Sequence, residues 1–224
     1  MASGDWTIET WVKPAVIDSA SRGFIGSQNG AVLSRGPSLW VYNNDLHFDS
    51  YSSSGTRHYA VTSGTFFAAN EWTHVAWVKN GTTYSLYRNG ASFTALDLSF
   101  VNSSFIAPAD ASVGTAIYKL GAVDSHFNGA LDETRIWNTA RTQEAIQAGM
   151  YSRLNGTETG LVRSWDFEEP SGTTAYNHTS TDTHGTLTNF TDTTRTANSA
   201  PVAERAGAID LDGTNDYEIG RAHV

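Results

Sequence analysis

Acidic residues are the first place to look for chemistry in this chain. Two stretches set acidic residues side by side: Asp132-Glu133 within "GALDETRIW", and "DFEE", Asp166 to Glu169. The adjacent pairs Asp132-Glu133 and Glu168-Glu169 point to opposite faces of a strand. Neither stretch therefore sets up the two facing carboxylates that glycoside cleavage needs. The plain expectation for both is charge at an exposed strand end or turn. His178 and His184 share one loop, but two imidazoles without a third ligand are a weak basis for zinc. The chain has no Cys, which excludes a thiolate metal site, a Cys nucleophile and a disulfide framework. There is no Gly-x-Ser-x-Gly elbow, phosphate loop or His-Glu-x-x-His helix. The sequence reads as a non-enzyme.

The richer stretch is "SLWVYNNDLHFDSYSSSGTRHY". A saccharide is held by flat aromatic rings with amide, imidazole or carboxylate groups beside them. Trp40, Tyr42, Asn43, Asn44, His47, Tyr51, His58 and Tyr59 offer both kinds of group. Alternation along a strand sends about half of them to the core.

These residues must be positioned by strands. "DWTIETWVKP" alternates, with Trp6, Ile8, Thr10 and Val12 on one face and Thr7, Glu9, Trp11 and Lys13 on the other. "EWTHVAWVKNGTTYSLYRNGASF" holds two Asn-Gly pairs, Asn80-Gly81 and Asn89-Gly90, which predict tight hairpin turns. One helix is predicted over Thr142 to Met150 in "RTQEAIQAGMYS". Beyond "NGTETG" the chain turns polar and Thr-rich around the strand "LVRSWDFEE". A long polar stretch of this kind is usually functional or an excursion over the surface. The class is all-β with a helical appendage. A formal charge of -9 and the lack of a Lys/Arg block exclude a nucleic-acid surface. No apolar run is long enough for a membrane-spanning helix, so no membrane insertion is expected.

Several motifs together resemble the LamG-like jelly-roll domains of the concanavalin A-like lectin/glucanase superfamily, which are related to laminin G and pentraxin domains. They are "WTIETWVKP", "EWTHVAWVKNGTTYSLYRNG", "GALDETRIWNTART", "GLVRSWDFEEPSGTTAYNHTSTDTHGTLTNF" and "GAIDLDGTNDYEI". The resemblance covers nearly the whole chain. It implies a two-sheet antiparallel jelly-roll β-sandwich with one short helix, in which Trp6, Trp72, Trp137 and Trp165 are core. The motif order is circularly permuted relative to the family. Residues 1–152 read as the rear of one repeat, 153–160 as a linker, and 161–218 as the front of the next, folding back to complete one sandwich. "IGRAHV" at 219–224 reads as a sequencing-adapter remnant, a non-native tail on a metagenomic fragment.

The resemblance also implies a role. The domain is expected to be a non-catalytic extracellular or cell-surface recognition module that binds carbohydrate or mediates adhesion within a larger protein. Its partners would be a glycan or an extracellular protein. The rival reading is a structural spacer or protein–protein module of a repetitive adhesin. The Glu-x-Asp-x-x-Glu strand of the glucanase relatives is missing. By the same resemblance a structural calcium would take Asp132 as its side-chain ligand beside backbone carbonyls, with Asp166 as a neighbour candidate; a turn hydrogen bond is the alternative role for Asp132. Monomer and domain-swapped dimer are both open, because the two halves come from neighbouring repeats.

Overall fold

The computed structural model describes residues 4–26, 38–51, 57–81, 83–93, 119–120, 125–179, 184–188, 195–196, 199–202, 208–212 and 217–219. In chain order the strands run β1 (Trp6–Pro14), β2 (Arg22–Gly26), β3 (Ser38–Tyr42), β4 (Asp45–Tyr51), β5 (Arg57–Val61), β6 (Thr73–Asn80), β7 (Thr83–Arg88), β8 (Ala91–Phe93), β9 (Lys119–Leu120), β10 (Ser125–His126) and β11 (Asn128–Trp137). Helix α1 (Gln143–Gly149) follows. The remaining strands are β12 (Leu161–Trp165), β13 (Thr174–Ala175), β14 (Gly185–Thr188), β15 (Arg195–Thr196), β16 (Ala208–Asp212) and β17 (Tyr217–Ile219). Residues 220–224 lie outside the described residues, while Ile219 pairs with Thr186.

Two sheets face each other. The first has the order β15-β16-β11-β1-β6-β7-β8, and β12 also lies on β11. β16 pairs with residues 128–131 of β11 and β12 with residues 134–137, so the two share one edge end to end. The second sheet has the order β13-β14-β17-β9-β2-β3-β4-β5. Pairing among the described strands is antiparallel except where β10 runs parallel to β2. Strands from residues 161–219 thus join ladders built by residues 6–137.

Local chemistry explains the turns. Arg88 pairs with Ala91, which leaves Asn89 and Gly90 as the two central residues, both at positive φ. That is the conformation an Asn-Gly pair favours. The other expected Asn-Gly turn is displaced by one residue. Asn80 still pairs with Thr83, so Gly81 opens the loop with φ 59°. The expected helix is present as α1, and Thr142 caps it, its hydroxyl accepting the Ala145 N–H at 3.2 Å.

Alternation sorts the core. Trp6, Ile8 and Val12 of β1 meet Leu39, Val41, Leu46 and Phe48 between the sheets. Trp77 contacts Trp6 edge-on at 4.9 Å and Phe48 of the opposite sheet at 4.7 Å. Trp165 lies in this core as well. Trp137 does not; it is buried on the opposite face of the first sheet, and Trp72 packs against a cluster there built on Trp11 and Met150. A second buried layer therefore exists, between the first sheet and α1.

Candidate functional site

That second layer buries the outward side chains along most of β1, β6 and β11. Glu9 and Trp11 point away from the main core, yet they are 0% and 2% exposed. Glu9 Oε1 accepts the Trp137 indole N–H and a guanidinium N–H of Arg141. The Arg141 guanidinium also lies 4.1 Å over the Trp137 ring. Arg135 donates to Glu133 (2.8 Å) and to the carbonyls of Gly149 (2.8 Å) and Ser152 (2.7 Å). The Trp11 indole donates to the Met150 carbonyl at 3.0 Å. The side-chain amides of Gln143 and Gln147 both donate to the Gly90 carbonyl. Ile146 closes the seat against Ala76 and Val78.

His74 faces Glu9 inside this layer, with Nε2 3.5 Å from Oε2. Burial drives its imidazole down to about 4; the charges of Arg135 and Arg141 act in the same direction and Glu9 opposes them.

Three acidic residues of the two stretches are buried, contrary to the exposure expected for them, while Glu168 and Glu169 are half-buried. Asp132 and Glu133 are 0% and 1% exposed, and Asp166 is 3% exposed. Sequence alternation gives each of them a solvent side, but segments remote in sequence cover that side. Asp132 Oδ1 accepts the Glu133 N–H at 2.8 Å, and Oδ2 accepts the Ala200 N–H at 2.9 Å. Burial above all pushes its carboxyl up to about 8, and the nearby charges of Glu133 and Glu168 add to the rise. Asp166 Oδ1 meets His178 Nε2 at 2.8 Å. For a hard cation the donor chemistry fits, since Asp132 offers buried oxygens in a negative environment. Among the described residues no three acidic or histidine side chains converge, so a cation here would also draw on backbone carbonyls.

The outer face of the second sheet is built differently. Leu39, Val41, Leu46, Phe48 and Ala60 of β3, β4 and β5 point to the core. Alternation then turns Trp40, Tyr42, His47 and Tyr59 to the other side, and the cross-strand pair Trp40↔His47 aligns the cluster. Trp40 stacks on His47 at 5.5 Å and on Tyr59 at 6.1 Å, with interplanar angles of 28° and 29°. Tyr42 meets His47 edge-on at 5.5 Å. His47 Nδ1 and the Tyr59 hydroxyl share a 2.6 Å hydrogen bond. Trp40 is 8% exposed and serves as the foundation of the cluster. Tyr42, His47 and Tyr59 are half-buried and form its reachable part.

Asn43 and Asn44 stand apart from these rings. They make the β3–β4 turn, where Asn43 takes φ 51°. The Asn44 carbonyl accepts the N–H groups of Phe66 and Phe67 at 2.9 Å each, and its amide donates to Thr65 at 3.2 Å. The side chains of Tyr51 and His58 lie outside the described residues; their backbones pair with Arg57 and Ser50. Among the described helices none is long and apolar enough to cross a membrane.

Comparison with known proteins bears on this architecture. Residues 1–147 match the family described as the concanavalin A-like lectin/glucanases superfamily. No curated protein sequence matches the chain. A Bacteroides ovatus structure, provisionally named a carbohydrate binding protein, is similar at TM-score 0.57 and 18% identity over 79% of this chain and 50% of that one. The present chain thus spans about half the length of that structure. The CBM40 domain of a Ruminococcus gnavus IT-sialidase, bound to alpha2,3 sialyllactose, is similar at TM-score 0.50 and 16% identity, over 66% of this chain and 83% of that one. At such identities these likenesses concern the fold.

Proposed function

The chain belongs to the concanavalin A-like lectin/glucanases superfamily, and on that premise we propose that it is a non-catalytic carbohydrate-binding module of a larger extracellular or cell-surface protein. The observation that carries this reading is the Trp40–Tyr42–His47–Tyr59 cluster on the outer face of the second sheet. An outward sheet face ordinarily carries polar side chains. Here rings replace them, with a hydroxyl and an imidazole fixed to each other at 2.6 Å. Rings for the C–H face of a sugar and polar atoms for its hydroxyls are the two things a saccharide site needs. The covered centre of the first sheet, where β1, β6 and β11 bury their outward side chains, supports the same assignment. The ligands named for the similar structures, carbohydrate in one case and sialyllactose in the other, agree with this reading.

A glycan array tests it. The labelled protein is expected to retain one class of glycan, and Tyr59→Ala and His47→Ala are expected to weaken retention about tenfold or more, the size of one aromatic contact. A folded protein that retains no glycan refutes the proposal and favours a structural spacer. Within the same reading we assign a structural calcium to Asp132 together with backbone carbonyls. Its effect would be to hold the buried Asp132 carboxyl in its ionised form, with no part in the recognition chemistry.

A further inference from the structure

The second sheet carries another pair of rings, at its far edge. Tyr176 follows β13 and His184 precedes β14. Their centroids lie 4.8 Å apart, edge to face. The register fixes their side. Thr174 pairs with Thr186 and Ala175 with Gly185. Ala175 and Leu187 are in the main core, so the alternate positions Thr174, Thr186, Tyr176 and His184 belong to the outer face. This is the face that carries Trp40, His47 and Tyr59.

Tyr176 is 50% exposed, yet its backbone is well held. Its N–H donates to Glu169 Oε1. The neighbouring Asn177 carbonyl oxygen Oδ1 accepts the N–H groups of Ser164 (3.1 Å) and Thr179 (3.2 Å) and the Thr179 hydroxyl (3.0 Å). The Asn177 N–H donates to His184 Nδ1 at 3.1 Å. An imidazole accepting at Nδ1 carries its proton on Nε2, so the pair combines an exposed ring with an oriented N–H donor. That repeats the chemistry of the first cluster.

We propose that Tyr176 and His184 form a second contact for the same ligand, so that the module binds an extended polysaccharide lying across the strands and not a single terminal sugar. The inference rests on the carbohydrate-binding reading above. Five strand spacings separate β13 from β3 and seven separate it from β5 in the sheet order, about 24 to 34 Å at ~4.8 Å each. A terminal sugar cannot touch both ends of that span, whereas a chain of several residues can. Two linked contacts also raise affinity beyond either alone.

Affinity electrophoresis against soluble arabinan, xylan, mixed-linkage β-glucan and pectin identifies a retarding polymer. Calorimetry with its mono- to hexasaccharides then measures length dependence. Wild-type affinity is expected to rise with length. Tyr176→Ala should lose about tenfold on the longest oligosaccharide and nothing on the monosaccharide, with thermal stability unchanged. Tyr176→Phe should behave as wild type, and Tyr59→Ala should weaken every length. A Tyr176→Ala protein that keeps the full length dependence overturns the second contact while leaving the first site standing. Tight monosaccharide binding with no gain on lengthening does the same. A wild type that no polymer retards and no oligosaccharide binds overturns both readings.

Discussion

Acid should weaken this protein through His74. The imidazole is 1% exposed, lies 5.2 Å from the Trp11 ring and faces Glu9 Oε2 at 3.5 Å. Its folded value is about 4 against an ordinary 6.5. Between those values the unfolded chain binds a proton that the folded protein refuses. Stability is therefore complete above pH ~6.5 and falls as the pH drops towards ~4. A gap of about 2.5 pH units at about 1.4 kcal/mol each gives a loss of about 3 kcal/mol. Against a typical total of about 5–15 kcal/mol this is a large fraction. The assay is urea unfolding at a series of pH values between about 7.5 and 4, on wild type and on His74→Gln, which keeps an amide donor near Glu9 and does not titrate. Other carboxylates titrate in both proteins and cancel in the comparison. The wild-type curve should drop relative to the variant by about 3 kcal/mol across the window. Two parallel curves would refute the argument that a neutral, buried imidazole sits in this layer.

Further expectations concern the same layer and its surroundings. Glu9→Ala leaves Arg141 and the Trp137 indole without their shared acceptor and should cost about 3–5 kcal/mol in urea unfolding; a loss under about 1 kcal/mol would show the clamp to be idle. Gly156→Ala places a Cβ 2.0 Å from the His178 carbonyl oxygen at φ +87°, so a drop in melting temperature of several degrees is expected, and an unchanged melting point would contradict the described approach of the two loops. For the calcium assignment, millimolar calcium should raise the melting temperature of wild type and leave Asp132→Asn unmoved; equal shifts in both proteins would dismiss Asp132 as the ligand.

Some of this was legible in the residues and some was not. The helix, read over Thr142 to Met150 and found at Gln143–Gly149, was legible because helix start and stop signals are local. The all-β class follows from alternation and turn chemistry in the same way, whereas the two-sheet arrangement comes only from the family resemblance. Alternation also sorts the aromatic stretch once Leu39, Val41, Leu46 and Phe48 are taken as inward. The misjudged residues are those whose surroundings come from far along the chain. Asp132, expected to be exposed, is covered by Ala200, 68 positions away; Glu9, for which only a strand face was read, is covered by Arg141, 132 positions away. No periodicity in β1 or β11 announces a cover of that kind. Trp137 is buried as expected, but an apolar side chain at a strand end does not state which of two buried layers it enters. The Tyr176–His184 pair was hidden in a polar stretch with weak patterning, and only the β13–β14 register assigns it a face.

The helix itself argues for the division of labour between the two sheets. At seven residues α1 is too short to be stable alone, and Ile146 is its one buried side chain. What holds it is largely polar: Gln143 and Gln147 on the Gly90 carbonyl, Arg135 on Gly149, and Arg141 beside the helix on Glu9. Such contacts are directional, so they fix one docking position where an apolar seat would tolerate sliding. A layer held that way is costly to open, since each charge in it would be left buried or would have to be hydrated. Recognition is therefore better served by the other sheet. There the ring cluster on β3, β4 and β5 rests on strands whose inward residues are fully buried, and binding a ligand requires no buried charge to be exposed.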